Sequence, residues 1–293
     1  MNADQGRPSR PPVPRTGAPA HPSAGVRRPG SHPTPFAALH RTGDPLLLPN
    51  AWDHASAALL AGEGFGAIGT TSLGVAAAAG LPDGAAATRD LTVRLARQLG
   101  AGPYLLSVDA EDGFGQDPDE VAELARELAA AGAAGVNLED GLGPAASHAA
   151  KIAAVKAAVP DLFVNARTDT HWLGDGTDDR ETHRRLDLYR QAGADGVFVP
   201  GLTDPSRISA LVKSLDVPLN ILYSPSGPSV AHLADLGVRR VSLGSFLYRR
   251  ALGAVLDAVG DIRAGRPARG TAPTYDTVQA FARGAAGRPP GGR

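Results

Sequence analysis

The chain has 293 residues, 43% hydrophobic and 20% charged, with a net charge of −1. That length can bury a large core without covalent staples, and a near-neutral balance offers no field to draw nucleic acid or an anionic membrane. Cysteine is absent, which excludes disulfides, thiolate metal sites and a cysteine nucleophile or acid.

Residues 1–34 carry recurrent proline and five arginines against one acid, Asp4. Almost nothing there is large and apolar, so burial cannot offset chain entropy and a disordered, solvated extension is expected. No apolar secretory core opens the chain. Arg27-Arg28 precedes Pro29-Gly30-Ser31 rather than the apolar stretch of a twin-arginine signal. A cytoplasmic protein is the expectation. Residues 35–284 read as one domain and 285–293 as a flexible tail.

Within that domain a short apolar run, a loop, an alanine-rich helix and a glycine recur. The predicted strands are Leu46–Asn50, Ala67–Thr71, Tyr104–Asp109, Gly135–Glu139, Phe163–Thr168, Gly196–Pro200, Leu219–Tyr223 and Val238–Gly244. Helical patterns include Ala55–Gly62, Asp119–Ala131, Ala145–Ala158 and Arg180–Gln191, with a further helix over Thr274–Gly284. The uncharged run from Phe65 to Pro82 reads as a strand plus a glycine-rich loop, not a membrane span. Helix ends repeat almost as words: Ala-Gly-Ala-Ala-Gly at 131–135 and Ala-Gly-Ala-Asp-Gly at 192–196. Strands that are continuously apolar fit a parallel sheet covered on both faces. Eight β-then-α units predict a closed (β/α)8 TIM-type barrel, with an open doubly wound sheet as the alternative.

Barrel active sites lie at the carboxyl ends of the strands. Here those ends hold Asn50-Ala51-Trp52-Asp53, Thr70-Thr71-Ser72, Asp109-Ala110-Glu111, Asn137-Leu138-Glu139 and Asn165-Ala166-Arg167, with Asn220 on the seventh strand. Crowded carboxylates repel and call for a cation or protons. Oxygen donors without cysteine or close-spaced histidine favour Mg²⁺ or Mn²⁺ near Asp109, Glu111 and Glu139. Arg167 can then grip a substrate carboxylate in a fork. Thr70, Thr71, Ser72 and the loop behind them can donate to a second anionic group, and Trp52 can form a pocket wall. Asp112, Asp117, Asp140 and Asp169 read as helix caps or loop solubilisers. His54, His148, His183 and His232 read as surface or packing residues, and His171 as a candidate acid–base group. The three lysines, Lys151, Lys156 and Lys213, fall on helical patterns, so a Schiff-base mechanism is disfavoured. No phosphate-binding loop signature is present.

Read in order, Pro49-Asn50-Ala51-Trp52-Asp53, Gly69-Thr70-Thr71-Ser72 through Leu81-Pro82-Asp83, Asp109-Ala110-Glu111-Asp112-Gly113, Asn137-Leu138-Glu139-Asp140, Asn165-Ala166-Arg167-Thr168-Asp169 and Pro218-Leu219-Asn220 resemble the isocitrate lyase/phosphoenolpyruvate mutase superfamily. The resemblance spans Phe36 to Ala258. It implies a Mg²⁺ site built by Asp109, with Glu111 and Glu139 direct or through water and Asp83 nearby. It implies that Arg167 and the Thr71–Gly74 loop, including Ser72 and Leu73, hold the substrate carboxylate. It also implies a last helix swapped between partners in a homodimer or homotetramer. The chemistry implied is cleavage or formation of C–C or P–C bonds through a metal-stabilised pyruvate enolate.

This chain departs from the family pattern in places. The family lyases carry a lysine–cysteine–glycine–histidine loop where Glu139 is followed here by Asp140-Gly141-Leu142-Gly143-Pro144. Glu111 replaces the commoner aspartate, and Pro200-Gly201 stand where mutases have a histidine. The expected function is thus a Mg²⁺-dependent lyase, cleaving or decarboxylating a small 2-oxo acid. A phosphonomutase-type enzyme and a non-catalytic metabolite-binding barrel are the alternatives.

Overall fold

The computed structural model describes residues 33–41, 43–175 and 179–281. The expected 1–34 extension lies almost wholly outside the described residues, and the 285–293 tail entirely so. The strand segments are β1 (Leu46–Leu48), β2 (Asn50–Ala51), β3 (Ala67–Thr70), β4 (Leu105–Asp109), β5 (Ala133–Glu139), β6 (Phe163–Arg167), β7 (Gly196–Val199), β8 (Leu219–Leu222) and β9 (Arg240–Ser242). All pairings are parallel, in the order β1-β9-β8-β7-β6-β5-β4-β3-β2. The first predicted strand is split at Pro49, which has no N–H for the ladder. Its first half pairs with β9 and its second with β3. The two halves therefore join the ends of the sheet and close it. The result is the predicted barrel, not an open sheet.

Helices follow the strands: α2 (His54–Gly62), α3 (Ser72–Ala78), α4 (Arg89–Leu99), α5 (Pro118–Ala130), α6 (Ala145–Ala158), α7 (Asp179–Gln191), α8 (Pro205–Ser214), α9 (Val230–Asp235) and α10 (Phe246–Arg263). Asp117 caps α5 by accepting from Asp119 N–H, with Pro118 in the first turn, as its sequence predicts. Gly132 beyond α5 has φ +99°, and a Cβ there would lie 2.5 Å from the Gly100 carbonyl oxygen. Only glycine serves at that return. One expectation fails: Ser72–Ala78 is a helix, not a loop. Its alanines outweigh Gly74, and the chain leaves the helix through Gly80 at φ +70°.

A short helix, α1 (Pro35–Ala38), plugs the amino-terminal end of the barrel. Phe36 is buried with Leu48, Ala67 and Phe163 in a cluster separate from the main core. His40 stacks on Phe163 at 4.3 Å, and burial drives its pKa down to about 3. The opposite end is left for chemistry. No helix of the described residues is long and apolar enough to cross a membrane.

Helix α10 stands apart. Among its buried residues is only Asp261, while Val255, Leu256 and Ile262 are 60%, 74% and 65% exposed. A last helix, α11 (Tyr275–Phe281), returns to α2, where His54 Nε2 and the Phe281 carbonyl are 2.9 Å apart.

Candidate active site

The rim is assembled by strand register. Glu139 pairs directly with Arg167, and Asp109 with Asn137, which in turn pairs with Asn165. Three neighbouring strand ends thus deliver acids, amides and a guanidinium to one place.

Asp109 closes β4. Its backbone N–H donates to Thr70 Oγ1 at 2.8 Å, and its Oδ2 accepts the Ser72 N–H at 3.1 Å. Burial raises its pKa, while Arg167 and Ser72 pull the other way. Glu111 follows in a turn with φ +47°, a left-handed conformation uncommon outside glycine. It is 2% exposed, and its two oxygens accept from Thr88 Oγ1 at 2.5 Å and Ala86 N–H at 3.2 Å. Burial raises its pKa too, opposed by those bonds.

Glu139 closes β5, and its Oε2 lies 2.6 Å from Arg167 Nη1. Burial, helped by the charges of Asp109, Asp169 and Asp83, pushes its pKa up to about 8 against the pull of Arg167. Arg167 also donates from Nε to Asp169 at 2.7 Å, and its guanidinium lies 6.0 Å from the centre of the Phe198 ring. Asp83 sits in the exposed loop after α3, and its charge acts on Asp109, Glu111 and Glu139.

A cleft of about 110 Å³ opens among Thr71, Ser72, Leu73, Asp109, Asn137 and Arg167, with Asp83 at its edge. Drug-sized pockets run from about 300 to 1,000 Å³, so this one suits a small acid. Four predicted contacts lie one layer away from it. Thr70 is spent on Asp109. Gly74 is a packing position, because a Cβ would fall 2.8 Å from Thr71 and 2.9 Å from Trp52. Trp52 packs edge-on against Tyr248 at 5.2 Å. Asn220 is 1% exposed and donates to Ser242 Oγ at 3.0 Å beneath the floor.

Two aspartates expected as solubilisers are buried instead. Asp169 has no exposed side-chain surface and completes the Arg167 fork. Asp140 accepts from Thr168 and Tyr189 hydroxyls, the Leu142 and Asp169 N–H groups, and Arg185 Nη1 at 2.9 Å. Burial opposes its charge, but these bonds outweigh it and its pKa is lowered. His171 meets Arg207 at 3.5 Å rather than the cleft, and burial and then Arg207 lower its pKa. Lys151, expected away from the site, is carried to it by α6. It is 4% exposed and donates to the Asp112 carbonyl at 2.9 Å, in a second cavity behind Glu111 and Glu139.

Among the described residues, no three acidic or histidine side chains converge on one point closely enough to enclose a metal. Glu111 is already engaged at both oxygens, and Glu139 at one. Such a set does not fit an all-protein cage. It fits a hard cation held directly by one or two carboxylates, chiefly Asp109, with water between it and the others.

The raised pKa of Glu139 has a consequence for stability. With no metal added, the native state keeps a proton on Glu139 that the unfolded chain loses between pH 4.5 and about 8. More protons bound in the native state means that stability falls as pH rises through that window. Urea midpoints measured in EDTA should fall more steeply for the natural chain than for Glu139→Gln. Parallel curves would contradict this.

The comparisons accord with the geometry. The phosphoenolpyruvate phosphomutase family profile matches residues 36–263. The Mycobacterium tuberculosis protein Rv1998c is 43% identical over 250 residues, covering 84% of this chain and 95% of its own. The oxaloacetate decarboxylase of Pseudomonas fluorescens is 32% identical, covering 72% of this chain and 77% of its own. A solved phosphonopyruvate hydrolase, in complex with oxalate and Mg²⁺, superposes with a TM-score of 0.74 at 26% identity, over 85% of this chain and 93% of that one. With a barrel closed at β1 and β2 and strand-end acids facing one arginine, this chain belongs to the phosphoenolpyruvate phosphomutase family, within the isocitrate lyase/phosphoenolpyruvate mutase superfamily.

Proposed function

We propose that the protein is a cytoplasmic Mg²⁺-dependent lyase that cleaves or decarboxylates a small 2-oxo acid through a pyruvate-type enolate. The observation that carries this is Arg167, which reaches the cleft between Glu139 at 2.6 Å and Asp169 at 2.7 Å while Asp109 lines the same space.

Asp109 would hold the cation directly, with Glu111, Glu139 and Asp83 oriented around its waters. Bound there, Mg²⁺ supplies Lewis-acid stabilisation of the negative charge that develops on the 2-oxo oxygen. Arg167 pairs with the substrate carboxylate, and its hold on Asp169 fixes the guanidinium plane. Thr71 and Ser72 close the other side of the carboxylate, at the start of α3. Phe198, whose ring lies against Arg167, keeps that pair from bulk water.

The similarity to an oxaloacetate decarboxylase supports the carbon–carbon reading, and the oxalate and Mg²⁺ in the phosphonopyruvate hydrolase support the cation and a small acid. P–C bond chemistry is the second reading, favoured by that same hydrolase. Helix α6 starts at Ala145, so only residues 140–144 follow Glu139 before it. That short connection favours a reaction needing little acid–base cover, and decarboxylation is one. The test is turnover of oxaloacetate, other 2-oxo acids and phosphonopyruvate, with Mg²⁺ and with EDTA. Loss of C–C cleavage in EDTA is expected. Undiminished turnover in EDTA, or turnover of the phosphonate alone, would sink the lyase reading.

The reading includes a homodimer or homotetramer in which the apolar face of α10 packs on a second copy. Leu256→Glu should halve the mass measured by light scattering. An unchanged mass would contradict that packing.

A further inference from the structure

Beneath the cleft floor lies a charged side chain that the proposed reaction does not use. Arg240 opens β9 and is 1% exposed. Its Nε donates to Ser242 Oγ at 3.0 Å and its Nη2 to Asn137 Oδ1 at 3.2 Å, while Nη1 has no partner. A guanidinium at the centre of a barrel is costly where an apolar side chain would fill the space.

Its geometry constrains a neighbour. Arginine carries only donors. The Asn137 atom that faces it is therefore oxygen, although the two ends of an amide are otherwise hard to tell apart. Asn165 Nδ2 donates to the same oxygen at 2.9 Å. Turning the Asn137 amide over would set an N–H group against the Arg240 guanidinium, which has only donors, so its orientation is fixed. The NH₂ end is left on the other side. Asn137 lines the cleft beside Asp109 and Arg167, and its Nδ2 has no partner among the described residues.

We propose that Arg240 is a positioning residue that locks Asn137 as a hydrogen-bond donor into the cleft, where its Nδ2 takes an anionic oxygen of the bound acid. The proposal rests on the oxo-acid reading above and adds to it. A preset neutral donor aimed at developing charge needs no reorganisation during the reaction. It also selects against ligands that lack an oxygen at that place, because the buried donor would then be left unpaired. Asn165, Asn137, Arg240, Ser242 and Asn220 form one bonded layer from β6 to β8, which holds the donor rigid.

The test is calorimetric titration of Mg²⁺-loaded protein with oxalate. Asn137→Asp keeps both acceptor contacts, so it should fold normally, yet it has no N–H to give. Asn137→Leu removes the donor without adding charge. Both should weaken oxalate binding by about tenfold or more, the loss of a hydrogen bond to a charged group. Arg240→Met should cost a similar factor, and the Asn137→Leu/Arg240→Met pair should lose no more than either alone, since both remove the same donor. Affinity within twofold of the natural protein in Asn137→Leu, or fully additive losses in the pair, would overturn the donor role alone. A natural protein that binds no oxalate with Mg²⁺ would overturn it together with the oxo-acid reading.

Discussion

Asp109→Ala should abolish the stabilisation of the protein by Mg²⁺ and oxalate together. At a ligand concentration about a hundred times Kd, binding adds about 2.7 kcal/mol, which raises the melting temperature of a domain this size by several degrees. The variant should show none of this rise. It should also melt no lower than the natural chain when both are measured in EDTA. Burial already raises the pKa of this carboxyl, and Asp83 adds repulsion, so in the metal-free fold its charge is a liability. A residue whose removal abolishes ligand binding without lowering intrinsic stability is one kept for function. Turnover should fall by about a hundred- to a thousandfold, the scale of losing one electrostatic stabiliser of the reacting charge. A variant that keeps the ligand-dependent rise would remove Asp109 from the site.

Arg167→Met should damage both folding and catalysis. Asp169 has no exposed side-chain surface, and Glu139 meets the same guanidinium at 2.6 Å. Removing one partner of a buried pair leaves charge without compensation and costs about 3–5 kcal/mol. Glu139 can escape by taking a proton, given its pKa of about 8, so the cost should grow as pH rises. Adding Glu139→Gln and Asp169→Asn to Arg167→Met should restore most of the stability and none of the activity. Arg167→Lys should fold better than Arg167→Met and remain a poor enzyme, because an ammonium cannot present the planar fork. Denaturant midpoints and kcat/KM on the same set separate the two roles. Full activity in Arg167→Lys would show that the fork does not grip the substrate.

The convergence of Asp109, Glu139 and Arg167 on one rim was legible in the sequence because the barrel rule sends strand ends there, and each of the three ends a strand. The eight-strand barrel was legible from the apolar runs and the glycines that follow several of the helices. Other features depend on partners far along the chain. Nothing local distinguishes Asp140 from a loop aspartate, since the groups that bury it include Arg185 and Tyr189, 45 and 49 residues away. Lys151 reads as one more helical lysine until α6 packs it behind Glu111 and Glu139. Trp52 and Gly74 read as pocket residues because they flank the rim, but the entry of α3 against Trp52 places them behind it. Arg240 is the hardest to read, since nothing local distinguishes two adjacent arginines inside the last predicted strand, Val238–Gly244. Strand alternation sends Arg240 inward and leaves Arg239 to reach the Gly43 carbonyl at 3.0 Å on the surface.

The most direct measurement is a crystal structure with Mn²⁺ and oxalate, using the anomalous signal of the metal to locate it. The account predicts one peak within coordination distance of Asp109, with Glu139 and Glu111 reaching it directly or through water and oxalate held between the metal and Arg167. A peak elsewhere, or oxalate bound away from Arg167, would contradict it.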